Sequence, residues 1–171
     1  MNGAADAFRT GVPGHSNPQE NPTPHVTASM SDNIFVDTNI LLYARDASEP
    51  AKQAVAARRI DALWEGRNGR LSVQVLNEYF VNVTRKLKPG LPLDEAWDDI
   101  EALRVWEPVA MDMPLLERAY SAQRRYKLSW WDSLIVAAAE AASCTAILSE
   151  DLPHGARYFG ITVENPFSSL P

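Results

Sequence analysis

Four acidic residues occupy settings in which a carboxylate can do chemistry. Asp37 directly follows the apolar run Ile34-Phe35-Val36, and Asp151 comes three residues after the run Ala146-Ile147-Leu148. Glu78 lies within a helical stripe formed by Val75, Leu76, Tyr79, Phe80, Val83 and Leu87, three residues beyond Val75. Asp132 falls in the first turn of an apolar helix that begins near Trp130. Hard divalent cations such as Mg2+ choose oxygen ligands and keep several waters, so a carboxylate cluster is what a protein contributes to such a site. A cation held there polarises a phosphoryl oxygen and makes water acidic enough to attack at neutral pH. Other chemistries lack their parts: His15 and His25 fall in the N-terminal stretch, His154 stands alone in a loop, and the Cys/His clusters that zinc requires are missing.

Each acid also has a purely structural reading. Asp37, ahead of Thr38-Asn39, suits the N-cap of a following helix. Ser129-Trp130-Trp131-Asp132 has capping-box spacing, with Asp132 bonding back to the backbone at Ser129. Glu78 fits a solvated helix position, and Asp151 fits a turn ahead of Pro153. Taken one at a time these readings are the simpler ones. The joint placement of the acids around one rim of a sheet is what points to a site.

That rim follows from the order of elements. Ile34-Phe35-Val36 is too short for a helix and reads as a buried strand. A helix runs from Pro50 to Glu65, with Pro50 in its first turn and Val55, Ile60, Leu63 and Trp64 on one side, closed by Gly66 and Gly69. Leu71–Val73 reads as a short strand, and the stripe containing Glu78 as a helix closed by Pro89-Gly90. Leu93–Val105 forms the next helix, with Asp94 and Glu95 in a first turn where the helix dipole favours anions. Pro108–Met111 reads as a short strand, Pro114–Tyr126 and Trp130–Ala142 as helices, Ala146–Leu148 as a strand and Ile161–Val163 as a last, edge-like strand. Strands alternating with helices predict an α/β fold with a mainly parallel sheet covered on both faces. Ligands of such sheets bind beyond the carboxyl ends of the strands, where Asp37 and Asp151 are expected.

The bulk properties are compatible with this. The chain has 171 residues, about one domain, and 46% hydrophobic residues, enough for one core. No apolar stretch approaches the roughly 18 residues of a membrane span, so no membrane association is expected. The single cysteine, Cys144, cannot form an internal disulfide, which fits a reducing, cytoplasmic setting, and its simplest role is as a small buried side chain. A net charge of −6 argues against a general nucleic-acid coat protein, yet a bound cation inverts the local sign at an acidic site. Residues 1–31 differ in kind: Gly11-Val12-Pro13-Gly14 and Asn21-Pro22-Thr23-Pro24 have no periodicity and little to bury, the composition of a disordered tail. This segment has no apolar core of a signal peptide, and Met30, just before the first strand, is the expected biological start. The domain itself is expected over 32–171.

Four segments carry a family resemblance. Ile34-Phe35-Val36-Asp37-Thr38-Asn39-Ile40-Leu41-Leu42-Tyr43 looks like the opening of a PIN domain, the nuclease family that includes VapC-type toxins. Val75-Leu76-Asn77-Glu78-Tyr79-Phe80 resembles its second acidic motif, Trp131-Asp132-Ser133-Leu134-Ile135-Val136 the third, and Leu148-Ser149-Glu150-Asp151-Leu152 the fourth. The closing Ile161-Thr162-Val163-Glu164-Asn165-Pro166-Phe167 is also similar, so the resemblance spans about residues 32–167. It implies a three-layer α/β/α sandwich and Mg2+- or Mn2+-dependent hydrolysis of RNA phosphodiester bonds. It further implies Asp37, Glu78, Asp132 and Asp151 as catalytic and metal-binding acids, supported through hydrogen bonds by Asn39 and Ser149. VapC-like relatives imply a toxin of a toxin–antitoxin pair that dimerises and is covered by a cognate antitoxin.

The proposed chemistry is in-line attack by water on the phosphate, with Asp132 or Glu78 accepting the proton. Two basic clusters are candidates for holding the RNA backbone: Arg85, Lys86 and Lys88, and Arg124, Arg125 and Lys127. Solvated helix ends are the simpler account of both, since cations favour helix C-termini. Tyr43, Trp64 and Trp97 are candidates for contact surface or for core. Two other readings stand beside the nuclease. A Mg2+-dependent phosphoryl-transfer module also places acids at strand ends, but its phosphatase form wants a second Asp where Asn39 stands, and its receiver form leaves Glu78 unexplained. A non-catalytic interaction protein on the same scaffold would have no need to keep all four acids.

Overall fold

A computed structural model describes residues 32–170; the tail and start-site expectations for 1–31 lie outside the described residues. The chain runs β1 (Asn33–Val36), α1 (Thr38–Arg45), α2 (Pro50–Gly66), β2 (Gly69–Arg70), α3 (Val73–Arg85), α4 (Leu93–Leu103), a 3-10 turn (Arg104–Trp106), α5 (Met113–Tyr126), α6 (Trp130–Ala141), β3 (Cys144–Leu148), β4 (Arg157–Tyr158) and β5 (Ile161–Glu164). The five strands form one sheet in the order β2-β1-β3-β5-β4. All neighbouring pairs are parallel except β4 with β5. α1–α4 pack among themselves and α5 pairs with α6, giving a three-layer α/β/α fold.

The central strands are apolar on both faces because helices cover both: Phe35, Val36, Ile147 and Leu148 are fully buried. Helix α6 is hydrophobic on every side for the same reason, with every residue from Ser133 to Ala139 buried. From β1 the chain goes to β2 on one side, then returns through four helices to β3 on the other. The sheet therefore changes direction between β1 and β3, and the carboxyl ends of these two strands form the crevice where doubly wound sheets bind ligands. Register levels them: Val36 pairs with Leu148, and the Asp37 amide donates to Leu148 O at 3.0 Å.

Three local expectations are corrected. The strand expected at Leu71–Val73 lies two residues earlier, because Ser72 caps α3 by accepting from the Val75 amide and draws Val73 into the helix. The strand expected at Pro108–Met111 shrinks to a single bridge between Val109 and Ser72; Glu107 just before it takes a left-handed conformation, which interrupts extended chain. The last strand is not at the edge, since the two-residue β4 pairs outside β5.

Candidate functional site

Asp37 sits where β1 becomes α1, and both of its readings hold. It is the N-cap of α1, its Oδ1 accepting from the Thr38 amide at 2.7 Å. It is also a buried carboxylate, 8% exposed, whose Oδ2 accepts from the Ser149 hydroxyl at 2.7 Å and the Asn39 amide at 3.2 Å. Burial pushes the Asp37 carboxyl up to about 6; the Ser149 and Thr38 hydrogen bonds oppose this, and the charges of Asp151 and Glu78 add to it. The last two causes place Glu78 and Asp151 each within electrostatic reach of Asp37.

Two residues at the start of α1 tie this group together. Asn39 Nδ2 donates to both Asp37 Oδ2 and Asp151 Oδ2, the latter at 3.0 Å, while its Oδ1 accepts from the Glu150 amide at 3.3 Å. Thr38 Oγ1 donates to Glu78 Oε2 at 2.8 Å, and Gln74, one turn earlier on α3, donates to Glu78 Oε1 at 2.9 Å. Ser149, fully buried after β3, donates to Asp37 and accepts from the Asp151 and Leu152 amides, both at 3.2 Å. The turn that presents Asp151 is thus built on the hydroxyl that also holds Asp37.

Asp132 is placed differently. The connection from α6 to β3 is only two residues long, so α6 runs back against β3 and its N-terminus lies at the carboxyl end of the sheet. Asp132 therefore shares the rim, but its side chain bonds neither Asp37, Glu78 nor Asp151. It accepts from the Ser129 hydroxyl at 2.7 Å, while its amide donates to that hydroxyl at 3.1 Å. This is the expected capping turn with one change: the carboxylate reaches the Ser129 side chain rather than its backbone amide. Beyond burial itself, the charge of Asp132 raises the Tyr158 hydroxyl, which puts Asp132 toward the β4 side of the rim.

Among the described residues no three His, Cys, Asp or Glu side chains stand arranged to hold a metal ion. The donor set nevertheless has the chemistry of a hard-cation site. It combines a buried carboxylate carrying an uncompensated desolvation penalty with two further carboxylates whose charges worsen it. In the structure as it stands, hydroxyl and amide donors from Thr38, Asn39 and Ser149 meet part of that demand.

A second polar network adjoins the site. Lys52 on α2 contacts Glu150 Oε1 at 2.5 Å and Tyr43 Oη at 2.9 Å, and lies 4.3 Å from the centre of the Tyr43 ring. Glu150 stands between Ser149 and Asp151, so this network pins the same turn from the outside. The sequence alone did not single out Glu150, Lys52, Thr38 or Gln74 as site residues. Only the Gln74–Glu78 pair carried a readable signal, its i,i+4 spacing on a helix. Of the earlier surface candidates, Trp64 packs on Trp106 and Tyr43 on Phe167, whereas Trp97 is exposed with Phe80 against its ring.

A family model described as PIN domain matches residues 34–153. No curated protein matches the chain.

Proposed function

The chain belongs to the PIN-domain family, and from that premise we propose that it is a divalent-metal-dependent ribonuclease that hydrolyses RNA phosphodiester bonds. PIN domains are in general metal-dependent nucleases. The observation that carries the proposal for this chain is the buried Asp37 carboxylate at the β1/β3 crevice, joined through Asn39 to Asp151 and electrostatically coupled to Glu78.

Asp37, Asp151 and Glu78, with Asp132 across the rim, are the residues proposed to hold Mg2+ or Mn2+. When bound, that ion polarises the phosphoryl group and lowers the pKa of the attacking water. The chain's own residues supply the rest. Asn39 sets the separation of Asp37 and Asp151, and Ser149 fixes the turn that carries Asp151. Both Glu78 oxygens are engaged, by Thr38 and Gln74, whereas one Asp132 oxygen accepts no hydrogen bond among the described residues. Asp132 is therefore the better placed of the two to accept the proton of the attacking water.

The finer assignment is a toxin of a toxin–antitoxin pair, acting in the cytoplasm as a homodimer and covered by a cognate antitoxin. Its support is the family and an apolar patch on α4, where Leu93 and Trp97, one turn apart, are exposed and Trp97 meets Phe80 of α3. Among the described residues no helix is long and apolar enough to cross a membrane.

The test is incubation of a mixed single-stranded RNA pool with the purified protein and Mn2+, Mg2+ or chelator, beside Asp37→Asn. Cleavage that requires the cation and is lost in the variant supports the reading. Cation-independent cleavage, or equal cleavage by the variant, refutes it. The inert-scaffold reading has one observation on its side, the protein donors that already bond Asp37 and Glu78; absence of both cleavage and Mn2+ binding would favour it.

A further inference from the structure

The α6 helix has one exposed large apolar side chain, and it adjoins the candidate site. Trp131 is 62% exposed, although the helix it begins is buried at every position from Ser133 to Ala139. Its neighbour Trp130 packs against the core. Core formation thus accounts for Trp130 and leaves Trp131 without a part in the fold. Among the described residues Trp131 joins no ring pair. It directly precedes Asp132 in the first turn of α6, the end of the helix that lies at the rim carrying the acids.

The connection leading into Trp131 is basic. Arg124, Arg125 and Lys127 close α5 just before the Ser129 cap of α6, and all three are exposed. The salt bridges among the described residues engage Arg45, Lys52, Arg59, Arg70, Arg104 and Arg118, but none of these three. Arg124 lies over the Tyr120 ring at 5.8 Å, and Arg125 over Tyr126 at 5.2 Å and Phe159 at 5.7 Å, which orients the guanidinium groups without pairing them to an acid among the described residues. The other basic cluster, Arg85, Lys86 and Lys88, begins seven residues beyond Glu78 on α3, about 10 Å farther along the helix. Only the α5–α6 cluster shares the end of the sheet with the acids.

We propose that Trp131, with Arg124, Arg125 and Lys127 beside it, forms a stacking platform for an unpaired nucleobase of single-stranded RNA, placing the adjoining phosphate over the carboxylates. The platform rests on the nuclease reading for its substrate class. Sites for single strands combine an aromatic face with cations that track the backbone. Duplex bases are already stacked and offer no free face, so the platform selects single strands. A protein partner fits less well, because charged groups are depleted from the centre of protein–protein interfaces and here they flank the ring.

The test is anisotropy of a labelled single-stranded RNA in chelator, so that binding is read without cleavage, with wild type, Trp131→Ala and Trp131→Phe. Trp131→Ala weakens binding about five- to a hundredfold, as loss of one base stack does, while Trp131→Phe restores most of it. The matched duplex is bound equally by all three proteins. Unchanged single-strand affinity in Trp131→Ala overturns the platform, as does an equal loss on duplex. A change in the molar mass of the free protein with RNA affinity intact also overturns it and assigns the ring to a protein interface. Cleavage with Mn2+ separates the two readings: a wild type that binds through Trp131 but never cleaves sinks the nuclease alone. Cation-dependent cleavage with KM unchanged in Trp131→Ala sinks the platform alone.

Discussion

Replacing Asp37 with Asn should make the metal-free protein more stable at neutral pH and leave no such gain in acid. In the folded protein burial pushes the Asp37 carboxyl from its ordinary 3.8 up to about 6, which corresponds to about 3 kcal/mol disfavouring the ionised form. Well below pH 3.8 the group is protonated in folded and unfolded chains alike, and it takes nothing from stability. As the pH rises from there, the unfolded chain releases this proton while the folded chain retains it, so stability falls. Above about pH 6 both are ionised and the full penalty, about 3 kcal/mol, is present. Asn cannot ionise and avoids the penalty at every pH.

The substitution also alters hydrogen bonds, since Ser149 and Asn39 both donate to Asp37 Oδ2 and an amide accepts at only one atom. That change is nearly independent of pH and shifts the whole curve. The diagnostic quantity is therefore the difference in unfolding free energy between variant and wild type, measured by urea unfolding in chelator at pH 4, 5, 6 and 7. It should grow in favour of the variant by about 2 kcal/mol between pH 4 and pH 7 and then level off. A difference that stays flat, or that grows in favour of wild type, refutes the claim that Asp37 is a desolvated carboxylate with acidic neighbours.

Added Mn2+ should raise the stability of wild type at pH 7 and leave Asp37→Asn nearly unmoved; at a hundredfold excess over Kd the gain is about 2.7 kcal/mol, read as a thermal shift. Asn39→Ala should reduce metal affinity and cleavage about 10- to 100-fold with the fold retained, because it frees both Asp37 and Asp151 from the amide that spaces them; circular dichroism and cleavage rates check it together. Arg45→Ala should destabilise the protein by about 3–5 kcal/mol in urea unfolding, since it leaves the buried Asp99 carboxylate without its guanidinium between α1 and α4.

What the sequence revealed and what it withheld divide along physical lines. Asp37 and Asp151 were legible because short apolar runs identify strands, and the carboxyl end of a parallel strand fixes which rim the next acid occupies. Helix α3 was legible from its stripe, and Glu78 with it. The short β4 was not, because two residues carry no periodicity, and the strand expected at Leu71–Val73 was misplaced because the Ser72 cap outweighed the apolar pattern. The connectors were hidden for a different reason. Thr38 reaches Glu78 across 40 positions, and Lys52 reaches Glu150 across 98. Such pairings depend on helix packing and rotamers, which local pattern does not encode.

The structural and chemical readings of the acids prove to be one arrangement seen at two scales. Asp37 caps α1 and is at the same time the most deeply buried of the four acids. Asp132 closes the first turn of α6 and stands on the same rim. Both follow from the topology: where the sheet reverses direction, helix N-termini converge with their free amides pointing toward the crevice, and these stabilise carboxylates. Capping donors alone leave Asp37 destabilised, since its carboxyl remains well above the ordinary range even with Thr38 and Ser149 bonded to it. Helix capping therefore explains why acids can be accommodated at this rim but not why one of them is buried beside two others. The divalent cation proposed above would supply the missing counter-charge, which is why the pH dependence of Asp37→Asn and its loss of response to Mn2+ belong to the same test.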